Sequence, residues 1–170
     1  MAKKKKMSLT GAIALGGMLT ALALIFSYVE MLIPFSIGAP GIKLGLANTV
    51  IVYALYKLGD RYAFSVNICR ILLSGLLFGS VFSTLYALSG GLLSFGVMAA
   101  LKKWGIFSEA GVSMGGGVAH NLGQLIVAVF VVKTPQVMAY FPVLVFSGIA
   151  AGTLNGIIAK LCLDRTEKIT

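Results

Sequence analysis

Residues 115–132 read GGGVAHNLGQLIVAVFVV, 18 positions without a lysine, arginine, aspartate or glutamate. A membrane-spanning helix needs roughly 20 predominantly apolar residues, and this uncharged run reaches that length once it is traced back to Ala110. Yet it carries the chain's one histidine, His120, beside Asn121 and, a turn further on, Gln124. Such groups are inexpensive in water and costly in hydrocarbon. Their meaning depends on the solvent in which the chain folds.

Composition identifies that solvent. Of 170 residues, 58% are hydrophobic and 11% charged, with a mean hydropathy of +0.97. A soluble domain carries about 25% charged residues, so this chain cannot cover a water-exposed surface. The net charge of +9 is not concentrated on one element: Lys3 to Lys6 form a run, and most other cations fall between apolar segments. That is the pattern of a topology signal, and it argues against nucleic acid as a partner. Cys69 and Cys162 lie far apart, in or at the end of apolar segments, and form neither a metal spacing nor a disulfide framework.

Six apolar segments fall near 8–33, 43–58, 62–80, 82–101, 110–132 and 139–161. They predict an all-α, multi-pass membrane protein of six transmembrane helices. A basic N-terminus (1–7) precedes a transmembrane domain (8–163) and a short tail (164–170). Pro34, Pro40, Pro135 and Pro142 punctuate segment ends. The second segment is short, so PFSIGAPGIKLG ahead of it reads as an irregular loop, tolerated at membrane depth only under protein or beside a water-filled cavity. The first segment is too long for a signal peptide, whose apolar core is about 7–15 residues. With both termini in the cytoplasm, Lys3 to Lys6, Lys57, Arg61, Lys102, Lys103, Lys160, Arg165 and Lys168 lie inside, and Lys43 and Lys133 outside. The positive-inside rule selects that orientation in the cell membrane.

The polar residues within these segments share helix faces. Asn67, Arg70 and Ser74 are three and four residues apart. A centred arginine costs about 2.5–3.5 kcal/mol on insertion scales, so Arg70 faces protein. It is either a tether to carbonyls or to Glu30, or an anion site. Ser113, Gly117, His120, Asn121 and Gln124 form a second polar face, read either as interhelical glue or as a cavity lining. One histidine without an acidic cluster makes no zinc site, and no metal or other cofactor is expected. Glu30, Lys43 and Asn48 add polar groups near the outer mouth, and Tyr86 and Ser89 are further candidates for the lining. Lys43 and Arg70 together suit a small-molecule ligand with an anionic head and a largely apolar body.

Gly75–Gly79, Gly148–Gly152 and Gly152–Gly156 are small-xxx-small patterns that permit close helix approach. In the first helix, Thr10, Ala14, Gly17 and Ala21 form a small-residue stripe, widened by Ala12, Gly16 and Ala23. Enzyme signatures are missing. Asp60 and Asp164 are the two aspartates, neither in a magnesium-binding motif, and GGG at 115–117 lacks the Lys-Ser/Thr of a nucleotide-binding loop.

PGIKLGLAN, SGGLLSFGVMAALKK and AHNLGQL resemble the Gx transporter family, also labelled heptaprenyl diphosphate synthase component I, over about residues 8–163. That family is similar to the substrate-binding S components of energy-coupling factor (ECF) transporters. The resemblance implies a six-helix bundle that captures a vitamin- or isoprenoid-like molecule from outside. It also implies docking through small residues of the first helix (here Ala14, Gly17 and Ala21) onto a transmembrane coupling subunit powered by cytoplasmic ATPases. The family's docking pattern is Ala-x-x-x-Ala; here the nearest matches are Ala12-x-x-x-Gly16 and Gly17-x-x-x-Ala21. The substrate contacts expected are Lys43, Asn48, Arg70, Tyr86, Ser89, His120, Asn121 and Gln124. A non-transporting membrane component of an isoprenoid- or quinone-linked pathway, electron transfer included, is the rival reading.

Overall fold

The computed structural model describes residues 8–32, 44–133 and 135–168. Lys43, Lys3 to Lys6 and most of the loop PFSIGAPGIKLG lie outside them. The described chain is helical: α1 (Leu9–Leu32), α2 (Leu46–Lys57), α3 (Asp60–Phe78), α4 (Val81–Trp104), α5 (Glu109–Val132) and α6 (Phe141–Glu167), with a 3-10 turn at Pro135–Tyr140. Three of the starts have a clear local cause. Ser80 and Ser83 cap α4 reciprocally, side chain to backbone N–H at 2.7 and 3.1 Å. Ser108 accepts from the Gly111 N–H at the start of α5, and Pro142 sits in the first turn of α6, where its missing N–H is no loss.

Five helices (all but α2) are long and apolar enough to cross a membrane. The sixth expected span is α2, and its 12 residues reach only about 18 Å at 1.5 Å per residue. It lies inside the bundle, with Ala47, Thr49, Val50, Ile51, Val52, Ala54 and Leu55 all buried. α1 packs on α2 and α3, α3 on α4, α4 on α5, α5 on α6, and α6 back on α2, closing a ring. Large side chains such as Leu76, Phe130 and Phe146 are exposed on its outside, as lipid-facing positions are.

Hydrophobicity does not distinguish a neighbouring helix from lipid, so packing has to hold the ring. Along the α5–α6 seam, Gly148 approaches so closely that a Cβ there would lie 2.9 Å from the Gly117 carbonyl oxygen and from the Val118 Cα. A Cβ at Gly152 would lie 2.6 Å from the Ser113 carbonyl. Gly123 meets α4 in the same way, at the Ser89 carbonyl. Backbone thus packs on backbone from α4 through α5 to α6.

The two ends of the bundle differ in charge. One end gathers the last turns of α2, α4 and α6 and the first of α3 and α5, with Lys57, Arg61, Lys102, Lys103, Lys160 and Arg165. There Lys102 Nζ donates to the Leu55 carbonyl at 2.7 Å and to Asp60 at 2.8 Å, over the Tyr56 ring. It caps the end of α2 and pins the α2–α3 turn to α4. At the other end, Lys133 is the one basic residue among those described.

Candidate ligand-binding site

At this second end all six helices contribute to one cavity of about 480 Å³. Small-molecule sites commonly span about 300–1,000 Å³. Its rim includes the last turn of α1, the start of α2 and the α3–α4 turn; its depth is set by Arg70, Ile71, His120 and Gly152.

Arg70 is 8% exposed, and its partners are neutral. Nε and Nη2 donate to Asn67 Oδ1 at 3.2 and 3.0 Å, and Nη2 also donates to Asn48 Oδ1 at 3.0 Å. Asn67 in turn donates to the Gly91 carbonyl at 3.1 Å. A polar network therefore runs from α2 through α3 to α4, with the guanidinium at its centre. Among the described residues no carboxylate lies within ion-pair distance of Arg70, and Nη1 makes no hydrogen bond. Arg70 links α3 to α2 through side-chain amide oxygens; neither a backbone carbonyl nor Glu30 is among its hydrogen-bond partners. The arginine is also a buried charge on a cavity wall.

The start of α2 is held from two sides. Glu30 accepts from the Leu46 N–H at 3.0 Å, which places a carboxylate at the positive end of the helix. Asn155 on α6 donates to the Leu44 and Gly45 carbonyls at 3.1 and 3.0 Å and accepts from the Thr49 hydroxyl at 2.9 Å. Gly45 takes φ 71°, the left-handed backbone that lets the chain turn into the helix here.

The α5 face that opened the sequence reading divides its work. Asn121 Nδ2 donates to the Leu144 carbonyl at 2.7 Å and to Ser147 at 3.2 Å, tying α5 to α6. His120 and Gln124 lean against α4 at Gly90, where a Cβ would lie 3.0 Å from His120 Cε1 and from Gln124 Cγ. The Gln124 amide makes no hydrogen bond among the described residues.

Asn48, Arg70, His120, Asn121 and Gln124 thus share one cavity, together with Glu30. Tyr86 and Ser89 do not line it. The cavity face of α4 carries Ser80, Ser83, Thr84 and Ala87, and Ser89 is turned aside, bonding its own helix at the Tyr86 carbonyl. Lys43 is outside the described residues. Asn155, Ser27 and Thr84 were missed. An asparagine within the glycine pattern GTLNG was the available signal for the first; nothing distinguishes the other two in the sequence. The first-helix stripe divides into two faces: Ala12 and Ala23 are buried against the bundle, while Ala14, Gly17 and Ala21 are exposed.

A family model described as heptaprenyl diphosphate synthase component I matches residues 19–162. No curated protein and no solved structure matches the chain.

Proposed function

The chain belongs to the heptaprenyl diphosphate synthase component I family, the Gx transporter family, and from that premise we propose that it is the substrate-binding component of an ECF-type uptake transporter in the cell membrane. It captures a small anionic molecule from the outer side. The observation that carries this reading is the cavity walled by six helices with the buried cation of Arg70 in its lining, no described carboxylate being within ion-pair distance of it. A charge kept at that depth with neutral partners gains most from an anionic ligand.

Orientation follows from charge. The basic end is cytoplasmic under the positive-inside rule, which puts the cavity and its mouth outside and both termini inside. In a background lacking Cys69 and Cys162, Gln136→Cys should react with an impermeant maleimide on intact cells, and Lys103→Cys should not. The reverse labelling would place the cavity on the wrong side for uptake.

Transport in this scheme needs a coupling subunit and cytoplasmic ATPases as partners. The outward face of α1 suits such docking: Ala14, Gly17 and Ala21 are exposed, and nothing lies within 4 Å of a Cβ at Gly17. Gly17→Leu and Ala21→Leu should therefore leave folding and ligand binding unchanged while weakening co-purification with the coupling subunit. A bulky side chain would hold the partner helix off. Undiminished co-purification of both variants would remove this face from the docking scheme.

We assign the protein no synthase chemistry, despite the family's description. Holding magnesium against a diphosphate takes converging carboxylates. Of the chain's five acidic residues, Asp60, Glu109, Asp164 and Glu167 sit at the basic end, leaving Glu30 alone at the cavity. The family description favours one rival, a non-transporting component of an isoprenoid- or quinone-linked pathway; failure to associate with any coupling subunit would support it.

A further inference from the structure

The cavity lining specifies more about its ligand than a negative charge. Among the described residues, only Met31, Ile71 and Phe78 bring large apolar side chains to it; the remainder is amide, hydroxyl, glycine backbone, alanine, His120, Glu30 and Arg70. A prenyl chain gains from leaving water for apolar surroundings, and the bilayer beside this protein already offers them. Moving such a chain from lipid into this cavity would gain little apolar contact and would set the charges of Arg70 and Glu30 and the amides of Asn48, Asn121 and Gln124 against hydrocarbon.

Two groups in the lining have hydrogen-bonding capacity that no described residue takes up. Arg70 Nη1 is one. The other is the Gln124 amide on the α5 wall, a donor and an acceptor side by side. Its stem packs on α4 at Gly90, where the missing Cβ makes room for it, and the side chain lines the cavity. The complement of a neutral donor–acceptor pair is another such pair.

We infer that the ligand joins an anionic group, held by Arg70, to an amide-like edge (a lactam, imide or carboxamide) read by Gln124, and that it is not a prenyl chain. This rests on the reading of Arg70 as the anion site and names the chemistry at the opposite end of the same molecule.

The test uses the full-length protein in lipid nanodiscs and three probes in calorimetric titration. Orotate carries a carboxylate on a ring with amide edges, benzoate a carboxylate on a ring without them, and geranyl diphosphate an anion on a prenyl chain. Orotate should bind most tightly. Gln124→Met should weaken orotate roughly fivefold or more, as two neutral hydrogen bonds are lost, and leave benzoate unchanged. Arg70→Gln should weaken both. Gln124→Leu, neutral and of similar volume, should repeat the selective loss of orotate if the Met variant does not fold. Equal binding of orotate and benzoate, or equal losses for both in the Gln124 variants, would overturn the inference. Arg70-dependent binding of geranyl diphosphate tighter than that of orotate would also overturn it, while leaving the anion-capture reading intact. No Arg70-dependent binding of any of the three would overturn that reading as well.

Discussion

Arg70→Gln lowers affinity for the captured ligand roughly tenfold or more, the equivalent of a charge-assisted hydrogen bond worth about 1.5–3 kcal/mol. Glutamine keeps a donor for Asn67 or Asn48, so the network from α2 to α4 is thinned and not emptied. Arg70→Lys should lie between wild type and Gln, because it keeps the charge and loses the fork that engages two amides at once. The decisive comparison is ligand affinity against thermal stability without ligand. Loss of binding at nearly unchanged stability identifies an anion site. Equal destabilisation with binding preserved in the folded fraction identifies a helix tether and nothing more.

Asn155→Leu has the largest expected effect on stability. Its side chain makes three hydrogen bonds to the start of α2 and to Thr49, and it is 2% exposed. Leucine strands the Leu44 carbonyl and the Thr49 hydroxyl, while the Gly45 carbonyl keeps the Asn48 N–H at 2.8 Å. With about 1–3 kcal/mol for each of two buried groups left unpaired, and some relaxation, a loss of about 2–4 kcal/mol is expected, the upper part of the range for one substitution. Thr49→Val removes one of the three bonds and should cost about 0.5–1.5 kcal/mol. Ligand binding should fall with Asn155→Leu as well, since Gly45, Ala47 and Asn48 line the cavity at the end it holds. An Asn155→Leu variant that unfolds alongside wild type in the same bilayer would show that α2 is positioned by other contacts.

The faces of α3 and α5 were legible because helical periodicity alone places Asn67 with Arg70 and His120 with Gln124. Arg70's second partner was not. Asn48 is 22 positions away, and only the packing of α2 inside the ring brings it near. The rotation of α4 was equally hidden: Gly90 and Gly91 decide which side of that helix meets α5 and α3, and Tyr86 and Ser89 fall off the cavity face as a result. Asn155 sits in a pattern that reads as close packing, which it also is, so its polar function was masked by its neighbours. The small residues of α1 read as one broad stripe because spacing cannot say which half turns inward. α2 was recognisably short, but its burial among α1, α3 and α6 is recorded by no local pattern.

The glycines of the α5–α6 seam also bear on what recognition costs here. Gly117, Gly148 and Gly152 form cavity wall and have no rotamers to lose, whereas ordering a long side chain on binding costs about 0.5–1.5 kcal/mol. That wall is the same surface before and after a ligand arrives. It also cannot be re-tailored by adding side chains, because a Cβ at any of the three would run into the backbone of the facing helix. Any change of ligand preference in this protein is therefore confined to the few polar side chains on the other walls, and the seam acts as a fixed template against which they are adjusted.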